Sequence, residues 1–156
     1  MEECSLINLS ETNYSQLPPD MWSFIENPTW RDKQALDGIY HKYCAYKKFA
    51  SHFPLFDKCY DICDILGYYD NGKLVAFSCI MRWDDTNAET WQFAWDYENP
   101  KLHLGIKSLK NECAVYKALG YKYLYLGDPY PYKEKMDGYM ISPPLQGLPS
   151  TFTNRN

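Results

Sequence analysis

The sequence predicts an α/β (α+β) domain built on one mixed sheet flanked by helices. Three observations predict it. Asn71-Gly72 lies between two apolar runs, the strongest short signal for a β-hairpin. Residues 90–97 alternate Trp91, Phe93 and Trp95 with Gln92, Ala94 and Asp96, which is the period of a strand. The chain from there to Gly127 switches to a helical period and back, so it reads as strand, helix, strand. An antiparallel meander therefore leads into a right-handed crossover that ends on a parallel strand.

Taken in order, residues 6–9 suit a first short strand. Pro18-Pro19-Asp20 introduces residues 21–25, expected as one or two helical turns, and Asn27-Pro28 ends them. Thr29 is an N-cap for a helix over residues 30–49. Leu36, Ile39, Tyr43 and Tyr46 form its apolar face, with Tyr40 and Phe49 beside it. Gly38 inside it costs about 1 kcal/mol relative to Ala. His41, Tyr43 and His52 are either pocket-lining or surface residues.

Residues 64–69 and 73–83 are the two arms of the hairpin. The second is apolar almost throughout, as expected of a central strand covered on both faces. A polar turn at residues 84–87 leads to the third strand, which Asn99-Pro100 breaks. From Gly105, Ile106, Leu109, Cys113 and Tyr116 recur at helical spacing, with Lys107, Lys110, Asn111 and Lys117 on the other side. Gly120 stops this helix, and residues 121–126 resume a strand. A loop rich in Tyr and Lys follows, then a short strand at residues 139–141. Residues 1–141 are expected to form the one domain, and residues 142–156 a tail with little structure.

Composition bounds the function. With 156 residues, 46% apolar and 23% charged, the chain is globular and long enough for one ordinary core. Its 15 Tyr, 7 Phe and 5 Trp favour aromatic pockets for a polar ligand, or a core in which Tyr replaces aliphatic residues. A net charge of −4 argues against a general nucleic-acid binder. Lys47, Lys48, Lys101, Lys107, Lys110, Lys133 and Lys135 are either a local basic patch or solvated surface charge. The six cysteines are dispersed. Cys59 and Cys63 lie four apart, but no second pair completes a zinc site, so reduced thiols and no metal are expected. The N-terminus lacks the features of a signal peptide, and no apolar run reaches membrane-spanning length. The expectation is a soluble cytoplasmic protein with no membrane association.

The order of elements matches the acyltransferase fold called GNAT, and particular residues extend the likeness. They are Asp96-Tyr97, Leu104-Gly105, Ser108, Glu112, Tyr123-Leu124-Tyr125-Leu126-Gly127 and Lys135-Met136, with Lys135 eight positions after Gly127. In these pieces the block from Tyr40 to Met136 resembles the C-terminal catalytic half of arginyl-tRNA–protein transferases and their bacterial leucyl relatives, a Fem-like branch of the fold. Two departures stand out. Asp137-Gly138 replaces the Tyr-Lys that usually follows Lys-Met, and the aromatic-Asp-Pro motif is stretched to Asp96-Tyr-Glu-Asn-Pro100. The resemblance implies transfer of an acyl or aminoacyl group to an amine. The donor would be aminoacyl-tRNA or acetyl-CoA, with no permanently bound cofactor. The acceptor would be a protein N-terminus or a small molecule. An acetyl-CoA-dependent N-acetyltransferase is the alternative enzyme, and a catalytically inactive GNAT-like binding module the alternative of another class. Against the acetyl-CoA branch, Gly105 is in place for a pyrophosphate-binding turn, but Leu102 and Lys107 are not what that turn uses.

Ligands of a parallel crossover sit beyond the carboxyl ends of its strands. Those ends place the site near Asp96, Tyr97, Gly127, Asp128 and Tyr130. Acyl transfer needs a group for the amine proton, a donor for the oxyanion and a proton for the leaving group. Asp96 is the candidate base, or else a loop-capping carboxylate. Tyr130 and Tyr132 are candidate acids, or else rim packing. Gly105, Lys107, Ser108, Gly127 and Lys135 are candidates for binding the acyl donor, with helix capping the other reading of Ser108. Tyr97, Glu112 and Tyr125 are candidates for binding substrate. Glu112 either reaches a strand or faces water.

Overall fold

The sheet grows from the hairpin outward. In the computed structural model, which describes residues 3–48, 61–96, 104–127 and 133–146, β3 (Cys63–Asp70) and β4 (Lys73–Arg82) pair antiparallel across Asn71-Gly72. Both turn residues have positive φ, 52° and 80°, the mirror-image turn that matches strand twist. β5 (Asn87–Trp95) adds antiparallel to β4, and the polar turn before it is held by Asp84, which accepts from the backbone of Thr86 and Asn87. The second helix and β6 (Tyr123–Gly127) then return the chain so that β6 lies parallel to β5. β1 (Cys4–Asn8) inserts antiparallel between β6 and β7 (Tyr139–Ser142). With β2 (Trp22–Phe24) at the outer edge of β3, the spatial order is β2-β3-β4-β5-β6-β1-β7.

Residues 21–25 do not form the expected helical turns. Trp22–Phe24 is strand β2, paired with Leu66 to Tyr68 of β3. Its three residues are too few for period to distinguish the two, and the open edge of β3 decides it. The first helix, α1 (Trp30–Lys47), starts where the sequence indicates: Thr29 Oγ1 accepts from the Asp32 N–H and Asp32 accepts from the Thr29 N–H, a full capping box. Its buried face is Leu36, Ile39, Tyr40 and Cys44, whereas Tyr46, expected inside, is 62% exposed. Phe49, His52 and Cys59 lie outside the described residues.

Two cores cover the two faces of the sheet. α1 packs on Ile65, Phe77, Cys79, Met81 and Ala94. The second helix, α2 (Leu104–Ala118), packs on the opposite face with Tyr68, Ile80, Ala88 and Leu124. Gly120, at φ 96°, ends it as expected. β4 is buried on both sides, which accounts for its unbroken apolar run. Five cysteines, Cys4, Cys44, Cys63, Cys79 and Cys113, are buried free thiols. The departure at Gly138 has a local cause: φ is 74°, and a Cβ there would run into the Asn8 carbonyl oxygen.

The feature that matters for function is a fork. Among the described residues, β5 and β6 are paired only at Asn87–Tyr123, Ala88–Leu124 and Glu89–Tyr125. Beyond Thr90, whose hydroxyl still donates to the Tyr125 carbonyl at 3.3 Å, the strands part. A β-bulge sits at the same place: Ile80 pairs with Thr90 and Cys79 with Gln92, leaving Trp91 as the extra residue. The expected single bulky face of β5 is therefore broken. Phe93 and Trp95 pack with α2, while the Trp91 indole donates to Glu89.

Candidate functional site

The fork opens a cleft of about 470 Å³. β5 lines it with Thr90, Trp91, Gln92 and Phe93; β6 with Leu126 and Gly127; α2 with Gly105, Ser108, Leu109 and Glu112. Ser78 of β4, Tyr43 of α1 and Lys133 complete the wall. Lys133 is only 8% exposed, and its ammonium donates to the Leu126 carbonyl at 2.9 Å, on a strand end that the fork leaves without a β5 partner.

Glu112 is the chemical centre of this wall. It is 2% exposed, although it sits in the middle of a helix. Its Oε2 accepts from the Tyr68 hydroxyl at 2.5 Å and from the Ser78 hydroxyl at 2.7 Å. Tyr68 in turn accepts from the Asn111 side-chain amide at 3.4 Å, and the Asn111 oxygen accepts from the Leu17 N–H at 2.8 Å. No ion pair neutralises Glu112 among the described residues, so the two hydroxyls are its compensation. Burial pushes its carboxyl up to about 7, with the hydrogen bonds from Tyr68 and Ser78 pulling the other way. Burial and the neighbouring Glu112 charge hold the Tyr68 phenol well above its ordinary value, so Tyr68 stays a donor. The result is a carboxyl in a cleft, able to take or give a proton near neutral pH.

The structure gathers some of the sequence candidates here and disperses others. Gly105, Ser108, Glu112 and Gly127 line the cleft together. The Ser108 hydroxyl donates to the Gly105 carbonyl at 3.1 Å, tying the first helical turn. Asp96 is buried at 8% exposure just past β5, its N–H donating to the Val75 carbonyl, and it does not line the cleft. Lys107 lines a separate small hollow with Leu17, Tyr68 and Asp70. Tyr125 is registered opposite Glu89 and does not line the cleft. Lys135 is exposed on a short 3₁₀ turn, Lys133–Lys135. Tyr97, Tyr130 and Tyr132 lie outside the described residues.

Sequence reasoning did not single out Ser78, Tyr68 or Asn111. Asn111 was expected on the solvent side of its helix and is instead fully buried. Lys133 was expected either in a local basic patch or as solvated surface charge, and it is instead buried. A weak signal existed: Asn111 and Glu112 adjoin Cys113 on the apolar side, so α2 has more inward positions than a surface helix needs. Among the described residues, no group of three His, Cys, Asp or Glu side chains is placed to hold a metal ion, and no helix is long and apolar enough to cross a membrane.

No protein-family model matches the sequence, and no curated protein does. Solved structures do. L-PGS from Bacillus licheniformis superposes with a TM-score of 0.64 at 16% identity, over 81% of this chain and 46% of its own. The C-terminal domain of a protein assigned as a lysylphosphatidylglycerol synthetase, from Agrobacterium fabrum, gives 0.58 at 14% identity, over 81% and 46%. A protein assigned as a GNAT-family acetyltransferase, from Novosphingobium aromaticivorans, gives 0.61 at 15% identity, over 90% and 59%. The chain spans about half the length of the structures it matches. At these identities the likeness speaks for architecture: the mixed seven-stranded sheet, with a helix on each face and a fork between β5 and β6, is a GNAT-like fold.

Proposed function

We propose that the protein is an acyltransferase that moves an acyl or aminoacyl group to an amine, with the β5–β6 fork as its reaction chamber. One observation carries the reading: Glu112, a buried carboxyl lifted to about 7, lines the cleft that the fork opens. An amine attacks only as the neutral base. Glu112 takes the proton as the nitrogen lone pair forms the C–N bond to the acyl carbonyl carbon. The C–S bond of a thioester or the C–O bond of an ester then breaks, and the leaving atom takes the proton from Glu112, which returns to its carboxylate. Tyr68 and Ser78 hold the carboxylate in place and supply the hydrogen bonds it needs once charged.

For the donor, we place aminoacyl-tRNA ahead of acetyl-CoA. The motif likeness to aminoacyl-tRNA–protein transferases supports this order. Lys133, at the open end of β6, is suited to pair with an anionic part of either donor. Both donors are cytoplasmic molecules, which agrees with a cytoplasmic protein. The test is thermal melting with CoA, acetyl-CoA and charged tRNA in turn. The true donor stabilises the fold by about 2.7 kcal/mol at a hundredfold excess over its dissociation constant. If none of the three shifts the melt, and no amine-directed transfer occurs, the fold serves as a binding module instead.

A further inference from the structure

The cleft also borders the face of the sheet that carries α1, where Tyr43 lines it. Glu89 belongs to that face, because it is registered opposite Met81, which packs in the α1 core. Its Oε1 accepts from two indoles, Trp83 Nε1 at 2.9 Å and Trp91 Nε1 at 3.1 Å. Among the described residues no hydrogen bond reaches Oε2. Trp91 is also a wall of the cleft and is 38% exposed, and Tyr43 of α1 lines the same cleft. A carboxylate braced by two neutral N–H donors keeps its charge uncancelled, and two flat rings fix its direction. That combination of one anionic oxygen and aromatic walls recognises an alkylammonium group.

We propose that Glu89, Trp83 and Trp91 form an ammonium-binding site on this face, joined to the cleft through Trp91, and that it holds a cationic group of the acceptor other than the amine that reacts. The reacting amine meets Glu112, whose partners Tyr68 and Ser78 lie on the α2 side of the sheet. Glu89 lies on the α1 side. The acceptor would therefore carry two amines, one neutralised for attack and one kept charged as an anchor. Its identity as the acceptor rests on the acyl-transfer reading; the ammonium site itself does not.

The test needs no acyl donor. n-Butylammonium chloride is titrated into the protein while the indole N–H resonances are followed by ¹⁵N NMR. n-Butanol serves as the uncharged control of the same shape. Trp22, whose indole donates to the Leu17 carbonyl away from the cleft, is the internal reference. Saturable shifts of Trp83 and Trp91 with butylammonium, none with butanol, and a still Trp22 are expected. Glu89→Gln keeps an oxygen for both indoles and removes the charge, so it weakens butylammonium binding about tenfold. Equal shifts with butanol, no shift with butylammonium, or unchanged affinity in Glu89→Gln would each overturn the site. The comparison of the two ligands on the unaltered protein decides the matter even if the variant does not fold. A protein that binds butylammonium but no acyl donor keeps this site and loses the acyl-transfer reading. One that turns over a donor but ignores butylammonium does the reverse.

Discussion

Two carboxylates on neighbouring elements have nearly the same hydroxyl partner and different company. Asp64 at the start of β3 accepts from the Tyr116 hydroxyl at 2.6 Å, and Glu112 accepts from the Tyr68 hydroxyl at 2.5 Å. Both clusters involve α2, since Glu112 and Tyr116 are one turn apart on it. Asp64, however, also meets the Arg82 guanidinium at 2.6 Å, and Arg82 lies over the rings of Tyr116 and Tyr121. Glu112 has only neutral donors. A buried charge with a cation beside it is balanced by that cation and acts as a structural tie. A buried charge without one stays close to its neutral form and is free to trade a proton. The same helix thus carries a fixed carboxylate contact at one end of the sheet and a titrating carboxyl at the fork.

The sharpest way to break that contrast is to remove each charge in turn. Glu112→Gln keeps the shape and an acceptor for Tyr68 and Ser78. It should lower the rate of acyl transfer by roughly 10²–10⁴. Asp64→Asn should leave the rate within a few-fold while lowering stability. Equal losses of rate in the two variants would erase the distinction.

A second measurement uses pH. The folded carboxyl of Glu112 sits near 7 against an ordinary 4.5, raised by burial. Folding therefore favours its protonated form, and the stability that form provides is complete below pH 4.5 and lost as pH rises through 7. The loss amounts to about 3 kcal/mol. Urea unfolding across that window should show the unaltered protein declining relative to Glu112→Gln, with the gap closing in acid. A constant gap would mean that the carboxyl does not change state.

Arg82→Met tests the other cluster. It takes the guanidinium away from Asp64 and should cost about 2 kcal/mol in urea unfolding, less than for a fully buried pair because Arg82 is a third exposed. It should not change the pH dependence assigned to Glu112. The smallest effect is expected from Lys135→Ala, an exposed position outside the cleft lining, at no more than ~0.5 kcal/mol by the same assay. A weaker donor-induced melting shift in that variant would instead place Lys135 at the donor.

What the sequence made legible was mostly local. Thr29, Asn71-Gly72 and Gly120 act through the backbone within a few residues of themselves, and each stands where expected. The site was legible only where the motif likeness touched α2 and β6. Glu112 could not be assigned from period, because its burial depends on Tyr68 and Ser78, 44 and 34 positions away in the chain. The bulge at Trp91 was hidden for a similar reason: it is a mismatch between two strands, and β5 alone still alternates. Tyr46 was misplaced because an aromatic at helical spacing was taken as core, whereas the small Cys44 fills the contact with the sheet.

The place of β1 has a consequence for how the chain is assembled. Its partners on both sides, residues 123–127 and 139–142, come at the far end of the described sequence. During synthesis β1 leaves the ribosome before either neighbour exists, and the β3–β4–β5 meander can close without it. Of the described strands, the earliest made is then the one that pairs last, and it bridges the two latest. Such long-range closure slows folding and keeps an unpaired apolar segment in waiting. Ile7 and Leu9, fully hidden in the finished molecule, are the residues exposed during that wait.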